Sequence, residues 1–520
     1  MKDLYCSYYT DSEEITSYMV KKLGITKDDL ILEPSAGEGI FIDEILKQNL
    51  KVKIDALDIN EEAINVLKRK YDENEDVSVR LTDTLFDEEL DTHMSMTLWL
   101  KNSDTLLDNQ LDFFSAMGGY YNKVIGNPPY GAWQDYDKRG LLKKKYPGQY
   151  VKETYTLFLL RSLSVLKMNG RLSFIVPDTF LFLNMHEKLR RIILTHSKIE
   201  EILIFPSKFF PGVSFGYSNL SIITFEKCSK EEALNNKIKI IKNFNSSNEF
   251  AGVLKGEYLE NQKIFELKQS EILSTEKSRF ILAENETALK IDSAKTRLGD
   301  IANIVTGFYS GDNKKYICAK NGSIKGAKDY SQVNDAHIYD CTSLKGIESV
   351  REGYVPYVKG SSPTRYMRKE DEWFVRWDED TVKFYNEDKK ARFQNSQYYF
   401  KKGIAIPMVK SREIRATLMD KRVFDQSIVG IFPKVEDKIF YLLALMNSEV
   451  VNKLIHVINP TANNSSNYIK QIPYIEPDSD NYCKIQNNVK LILSLDIEKD
   501  SNRIMMLHGE NNLIIEKTYQ

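Results

Sequence analysis

The sequence predicts an α/β fold, a doubly wound sheet flanked by helices, over residues 1–245, and a second domain over 246–520. Three observations carry this expectation. Short apolar runs alternate with amphipathic segments up to about residue 230, the order that successive βα units of a parallel sheet produce. The runs end in turns of glycine, proline and small residues. The chain's 520 residues exceed what one ordinary core encloses.

In order, "EEITSYMVKKL" (13–23) sets Ile15, Met19, Val20 and Leu23 on one helical face. "LILEP" reads as a buried strand, "IFIDEILKQ" as a helix and "KIDALDI" as the next strand. "EEAINVLKRKY" is a helix with an acidic start and a basic end, which suits its dipole. "VSVRL" and "KVIGN" are strands on either side of an irregular stretch, and "TYTLFLLRSLSVLK" is a long amphipathic helix. "RLSFIVP", "IEEILIF" and "LSIITFEK" complete the strands, and the polar runs "KCSKEEALNNK" and "NFNSSNEF" mark the expected exit from the domain.

The net charge of −2 points to no partner, but its distribution does. Residues 1–120 hold 12 Lys+Arg against 26 Asp+Glu, which leaves a balance of +12 for the remaining 400 residues. A polyanion is therefore expected to meet the later part. "MKDLYCSYYTDSEE" lacks an apolar signal core and no run of about 18 apolar residues follows, so a cytoplasmic location without membrane contact is expected. Cys6, Cys228, Cys318, Cys341 and Cys483 form no CxxC pair, and the six histidines form no close ligand pair. Reduced thiols and no metal site are the expectation.

Chemistry is read at the strand ends. The first strand runs into "EPSAGEGIF", where Ser35, Ala36, Gly37 and Gly39 let backbone approach a ligand at a helix amino terminus. Such turns are common alone, and with no Lys-Ser/Thr pair a phosphate-gripping loop is disfavoured. Asp58 ends the second strand 19 residues after Gly39, where a nucleotide-binding fold needs an acceptor for ribose hydroxyls. The third strand leads to "LTDTLF", whose Asp83 suits an adenine amine, with Leu85 and Phe86 as apolar walls; a helix cap is the lesser alternative. Together these turns describe a pocket for an adenosine without a phosphate chain.

At the fourth strand, "VIGNPPYGAW" ends in two prolines. Pro128 forces Asn127 out of the helical region and Pro129 locks the following torsion, so the turn is rigid. An exocyclic amine of adenine is a poor nucleophile because its lone pair is delocalised into the ring. The Asn127 side-chain oxygen and the Pro128 carbonyl can each accept one N–H, which favours a pyramidal nitrogen, while Tyr130 stacks on the ring, a contact of roughly 1–3 kcal/mol.

"YYTDSEEITSYMV", "ILEPSAGEGIF", "ALDIN", "LTDTLF", "VIGNPPY" and "GRLSFIVPDTFL", in that order, resemble the motifs of the gamma class of adenine-N6 DNA methyltransferases, the Taq type of restriction-modification systems. The resemblance covers residues 5–230 and continues more loosely in "LGDIANIVTGFYSGDNKKYI" and "LLALMNSEVVNKLI", similar to segments of target-recognition domains. It implies a Rossmann-like S-adenosylmethionine-dependent catalytic domain and a mixed α+β carboxy-terminal target-recognition domain. S-Adenosylmethionine is the implied methyl donor, with Tyr9 and Thr10 near its methionine end. Glu33, Ser35 and Gly37 surround the carboxylate and amino groups, Asp58 meets the ribose and Asp83 the adenine. Pro34, Ala36, Gly39, Ile59, Thr84 and Asn127 belong to the same cofactor site. Asn127, Pro128, Pro129 and Tyr130 carry over to the target base, with Phe210 of "FFPGVS", and Phe209 next to it, against its other face. Two departures stand out: the long insertion at 87–122, and the chain after "YIEPDSD", which departs from the family's closing helices.

Double-stranded DNA is the expected partner. "ARFQNSQYYFKKGIAIPMVKSREIRATLMDKR" (391–422) concentrates Arg392, Lys401, Lys402, Lys410, Arg412, Arg415, Lys421 and Arg422 among aromatics, opposed only by Glu413 and Asp420. "KRGLLKKKYPGQY", with Lys143 and Lys144, and "YVKGSSPTRYMRK" are further candidates for backbone contact, and a solvated face explains such runs as well. The rivals are an RNA-adenine or protein-glutamine methyltransferase, for which the same turn would serve, and a DNA-specificity component without catalysis. A restriction endonuclease, if one accompanies the enzyme, is expected on a separate polypeptide.

Overall fold

Apolar runs that each close on a small-residue turn pair side by side and in one direction. β1 (Leu30–Glu33) lies between β2 (Lys53–Asp58) and β4 (Tyr121–Gly126), with β3 (Val77–Leu81) outside β2, and all are parallel. β5 (Leu166–Pro177), β6 (Ser197–Pro206), β7 (Asn219–Lys227), β8 (Lys237–Lys242) and β9 (Lys263–Lys268) extend the sheet in the order β3-β2-β1-β4-β5-β7-β6-β8-β9. The structure is a computed structural model that describes residues 12–92, 119–131, 136–210, 219–258, 263–282, 295–409, 413–459 and 464–520.

The sheet departs from the all-parallel expectation at β7, which runs antiparallel between β5 and β6. A parallel return needs a helical crossover of about a dozen or more residues, whereas β6 ends at Pro206, runs into the 3-10 turn Ser207–Phe209, and β7 already begins at Asn219. The expected exit from the domain also shifts. "KCSKEEALNNK" forms the helix Lys230–Asn235, capped by Ser229 and Glu232, and leads into β8, onto which β9 then pairs. The chain accordingly divides at Phe280 rather than at 245, because two more strands zip onto the first sheet.

The helices follow their patterns. α1 (Glu13–Leu23) is capped by the Ser12 side chain and buries Ile15, Met19, Val20 and Leu23, the four residues of the expected face. α2 (Ile40–Leu46) and α3 (Glu61–Lys70) follow β1 and β2. α4 (Glu88–Thr92) opens the insertion and is packed: Leu90 is fully buried and Asp91 pairs with Arg161 and with Lys145. Residues 93–118 of the insertion lie outside the described residues. α5 (Tyr136–Lys145) carries the basic run. α6 (Thr154–Val165) differs from the expected amphipathic helix, since every one of its residues is buried. Two of its hydroxyls are satisfied locally, Thr156 Oγ1 donating to the Glu153 carbonyl (2.7 Å) and Ser164 Oγ to that of Arg161 (2.6 Å).

The second unit, Ile281–Gln520, is mixed α+β. One four-stranded antiparallel sheet orders Ala302–Thr306, Ile428–Pro433, Gly403–Pro407 and Thr417–Met419. A five-stranded mixed sheet orders Ser331–Gln332, Ile317–Ala319, Trp373–Arg376, Tyr354–Val358 and Val423–Phe424. An aromatic core of Phe308, Tyr357, Trp377, Tyr385, Tyr399 and Phe424 fills it. From Ser479 the chain forms two helices, Ser479–Ser494 and Ser501–Tyr519, joined by Asn488 Nδ2 donating to Asn511 Oδ1 (3.0 Å). Among the described residues, no helix is long and apolar enough to cross a membrane.

Just past β5, the Asp178 carboxyl is buried and accepts from Asn219 Nδ2 at 3.0 Å. Burial raises its pKa from 3.8 to about 6 despite that bond. The folded chain thus holds a proton that the unfolded chain has lost, so stability falls as pH rises from 4 through 6 and stays lower above. Asp178→Asn should match the parent in urea unfolding at pH 4 and exceed it at pH 8, by at most about 3 kcal/mol.

Candidate active site

Parallel pairing delivers the carboxyl ends of β1, β2, β3 and β4 to one edge, and β1 is where the strand order reverses, the place where open α/β sheets bind ligands. The turn after β1 places Gly37 at φ +52° and Gly39 at φ +82°. Gly39 is required twice: a Cβ there would lie 2.7 Å from Leu67 Cδ2 and 2.8 Å from the Tyr71 hydroxyl. Its smallness thus lets α2 start against α3, while the hydroxyl of Tyr71 donates to the Gly39 carbonyl (3.1 Å).

Three bonds tie the neighbouring turns to this one. Asp58 accepts from Gly37 N through Oδ2 and from Asn60 N through Oδ1, each at 2.8 Å. A carboxylate has lone pairs beyond those two, so it retains acceptors for hydroxyls. Burial outweighs both bonds and raises its pKa. Thr84, buried, donates through Oγ1 to the Pro34 carbonyl at 2.5 Å. Ser35 Oγ donates to the Asn127 carbonyl at 3.3 Å, which links the glycine turn to the proline turn.

Glu33 is 1% exposed and its Oε2 has no hydrogen-bond partner among the described residues. Burial, then the carboxylates of Asp58 and Asp43, push its pKa well above the usual carboxylate range. Such an orphaned acceptor fits a cationic donor, as the amino group of S-adenosylmethionine is. Ile59, beside Asp58, stays 39% exposed, and Leu81, which pairs with Asp58 in the sheet, 51%. Both offer accessible apolar surface next to Asp58, and Leu81 is absent from the residues singled out in the sequence. Ala36 is buried, its amide bonded to the Leu57 carbonyl.

Asp83 caps no helix: its Oδ1 accepts from Leu85 N across a turn (3.1 Å), and Oδ2 pairs with Lys138 of α5 at 2.9 Å. Nothing in the sequence announced this pairing, because Lys138, the first residue of the basic run "KRGLLKKKYPGQY", lies 55 residues away. In the proline turn, Asn127 and Pro129 are half-buried, Pro128 is buried and Tyr130 is fully so. The Tyr130 ring therefore lines the interior rather than standing in solvent. Phe210 is buried, and half-buried Phe209 stacks on Phe250 at 6.1 Å. Tyr9, Thr10, Lys410 and Arg412 lie outside the described residues.

Of the basic candidates, Lys143 and Lys144 are exposed on α5. In the second unit Arg392 and Lys401 are exposed, and Lys402 lies 4.9 Å over Phe440. The fold brings more acid to the basic segments than their sequence suggests: Asp371 pairs with Arg422 through two bonds, Glu413 with Arg365, and Glu498 with Lys369. Among the described residues, no cluster of His, Cys, Asp and Glu is placed to hold a metal ion.

Residues 44–210 match the Eco57I restriction-modification methylase family. The type II methyltransferase M.HindII of Haemophilus influenzae is 23% identical over 489 residues, 84% of this chain and 82% of that one. The adenine-specific methyltransferase BrxX of Escherichia coli is 22% identical over 366 residues, 68% of this chain and 28% of that one. A nuclease-deletion mutant of the type ISP restriction-modification enzyme LlaGI, solved with a DNA substrate mimic, superposes with a TM-score of 0.56 at 12% identity, covering 94% of this chain and 54% of that one. The chain thus spans most of M.HindII but well under two thirds of the other two. Strand order, linked turns and these likenesses converge: the first unit has the fold of the S-adenosylmethionine-dependent methyltransferases, and the chain is similar to type II restriction-modification DNA methyltransferases.

Proposed function

We propose that the protein is a site-specific DNA methyltransferase of the gamma class, which methylates the N6 amine of an adenine swung out of duplex DNA. The observation that carries the reading is the Ser35–Asn127 link, which holds the acceptor-bearing proline turn against the glycine turn. The adenine-specific name of the relative BrxX supports the choice of base.

Duplex pairing hides the amine, so the nucleotide must be extruded, at a few kcal/mol of lost stacking and pairing. Tyr130 and Phe210 offset that loss by enclosing the base. Asn127 Oδ1 and the Pro128 carbonyl each accept one N–H and favour a pyramidal nitrogen. When bound, S-adenosylmethionine supplies the electrophilic methyl on a sulfonium. Glu33, Ser35 and Gly37 hold its amino-acid end, Asp58 its ribose, and Asp83 and Ile59 its base. Holding both reactants in one rigid site makes the transfer effectively unimolecular. Lys143 and Lys144 on α5, and Arg392 and Lys401 in the second unit, contact phosphates.

The reading is tested by incubating the protein with labelled cofactor and genomic DNA that lacks adenine methylation, then mapping modified bases; label in RNA or protein alone would overturn it. Asn127→Ala should lower turnover by at least about 10²–10³-fold, with cofactor binding by calorimetry nearly unchanged. Asp58→Ala should instead weaken the cofactor about 10–100-fold, with the rate recovering toward that of the parent at saturating cofactor. Replacing Lys143 and Lys144 with alanine should reduce the slope of log affinity against log salt by about 2 while preserving sequence preference, read by fluorescence anisotropy.

A further inference from the structure

The proline turn is short of donors of its own, since neither Pro128 nor Pro129 has an N–H to offer. Hydroxyls from outside do so on both flanks. The Asn127 carbonyl accepts from Ser35 Oγ, and the Pro129 carbonyl accepts from Thr154 Oγ1 at 2.6 Å, the shorter of the two bonds. Thr154 is 4% exposed and is the first residue of α6.

The start of that helix is anchored independently. Glu153 bonds His186 Nε2 at 2.8 Å, and the His186 ring is buried between Tyr150 (5.5 Å) and Tyr155 (6.1 Å). The Tyr155 hydroxyl in turn meets Thr179 Oγ1 at 2.9 Å, just past the end of β5. Thr154 therefore projects from a fixed point, and the carbonyls either side of Pro128 are each held by a separate element.

We propose that Thr154 is a positioning residue for methyl transfer: its hydroxyl fixes the peptide plane after Pro129, so that the Pro128 carbonyl and the Asn127 amide keep the spacing a target amine needs. This rests on the reading that the proline turn receives that amine. A misplacement of about 1 Å at a reacting centre costs on the order of 100-fold in rate, which sets the scale of the effect.

The test compares Thr154→Val, Thr154→Ser and Asn127→Ala in the full chain, using labelled S-adenosylmethionine and unmethylated genomic DNA. Single-turnover rate at saturation, KM for DNA and cofactor affinity are measured together. Thr154→Val, which keeps the shape and removes the donor, should lose about 10–100-fold in rate, with KM and cofactor affinity within about threefold of the parent. Thr154→Ser should recover most of the rate. The proposal is overturned by a valine variant within about twofold of the parent, by a serine variant as slow as valine, or by cofactor affinity falling in step with rate. Either of the first two alongside an inactive Asn127→Ala sinks the role of Thr154 alone. A parent that labels no DNA adenine, or an Asn127→Ala variant as fast as the parent, sinks the underlying reading and this proposal with it.

Discussion

Parallel pairing of β1 with β2 on one side and β4 on the other is the constraint on which the first unit depends. It brings turns separated by roughly 90 residues of sequence to one edge, and it does so with backbone bonds alone. Short polar side chains then lock those turns together. Thr84 reaches Pro34, Asp58 reaches Gly37 and Ser35 reaches Asn127. None of these bonds exceeds ordinary strength, about 0.5–1.5 kcal/mol net each, but each removes a degree of freedom from a loop that must otherwise reorganise on binding.

The same edge stores unfavourable electrostatics. Glu33 and Asp58 are both driven toward their protonated forms by burial, with Glu33 further opposed by its acidic neighbours. A fold gains nothing from such groups in isolation, and natural proteins tolerate them mainly where a ligand completes the set. Asp178, just past β5, belongs to the same class. The sheet edge is thus poorer in stability than its core of fully buried Ile31, Ile54, Ile125 and Leu172, and richer in chemistry.

Much of this was legible in the sequence because strand ends, glycine turns and the proline pair are local signals. α1 buries the four residues that its spacing selects. What escaped was set by long-range pairing. The antiparallel β7 and the added β8 and β9 depend on connection geometry rather than on composition. Lys138 opposite Asp83, Thr154 beneath Pro129 and His186 against Glu153 join residues 25 to 55 positions apart, with no pattern in either partner to announce the other. α6 misled in the opposite sense, since its serines, threonines and single arginine read as a wet face. Arg161 is in fact fully buried, bonded to Asp91 and to the Asp87 carbonyl.

That enclosed helix has a consequence for how the protein tolerates change. With no solvent side, α6 cannot absorb a bulkier or smaller residue by rotating toward water, and any repacking shifts its first turn. Its twelve positions are tied to the proline turn through the Thr154–Pro129 bond, which most of them never touch. Random mutagenesis scored by methylation should therefore accumulate distant slow mutants along this segment, and second-site suppressors of them in the surrounding walls.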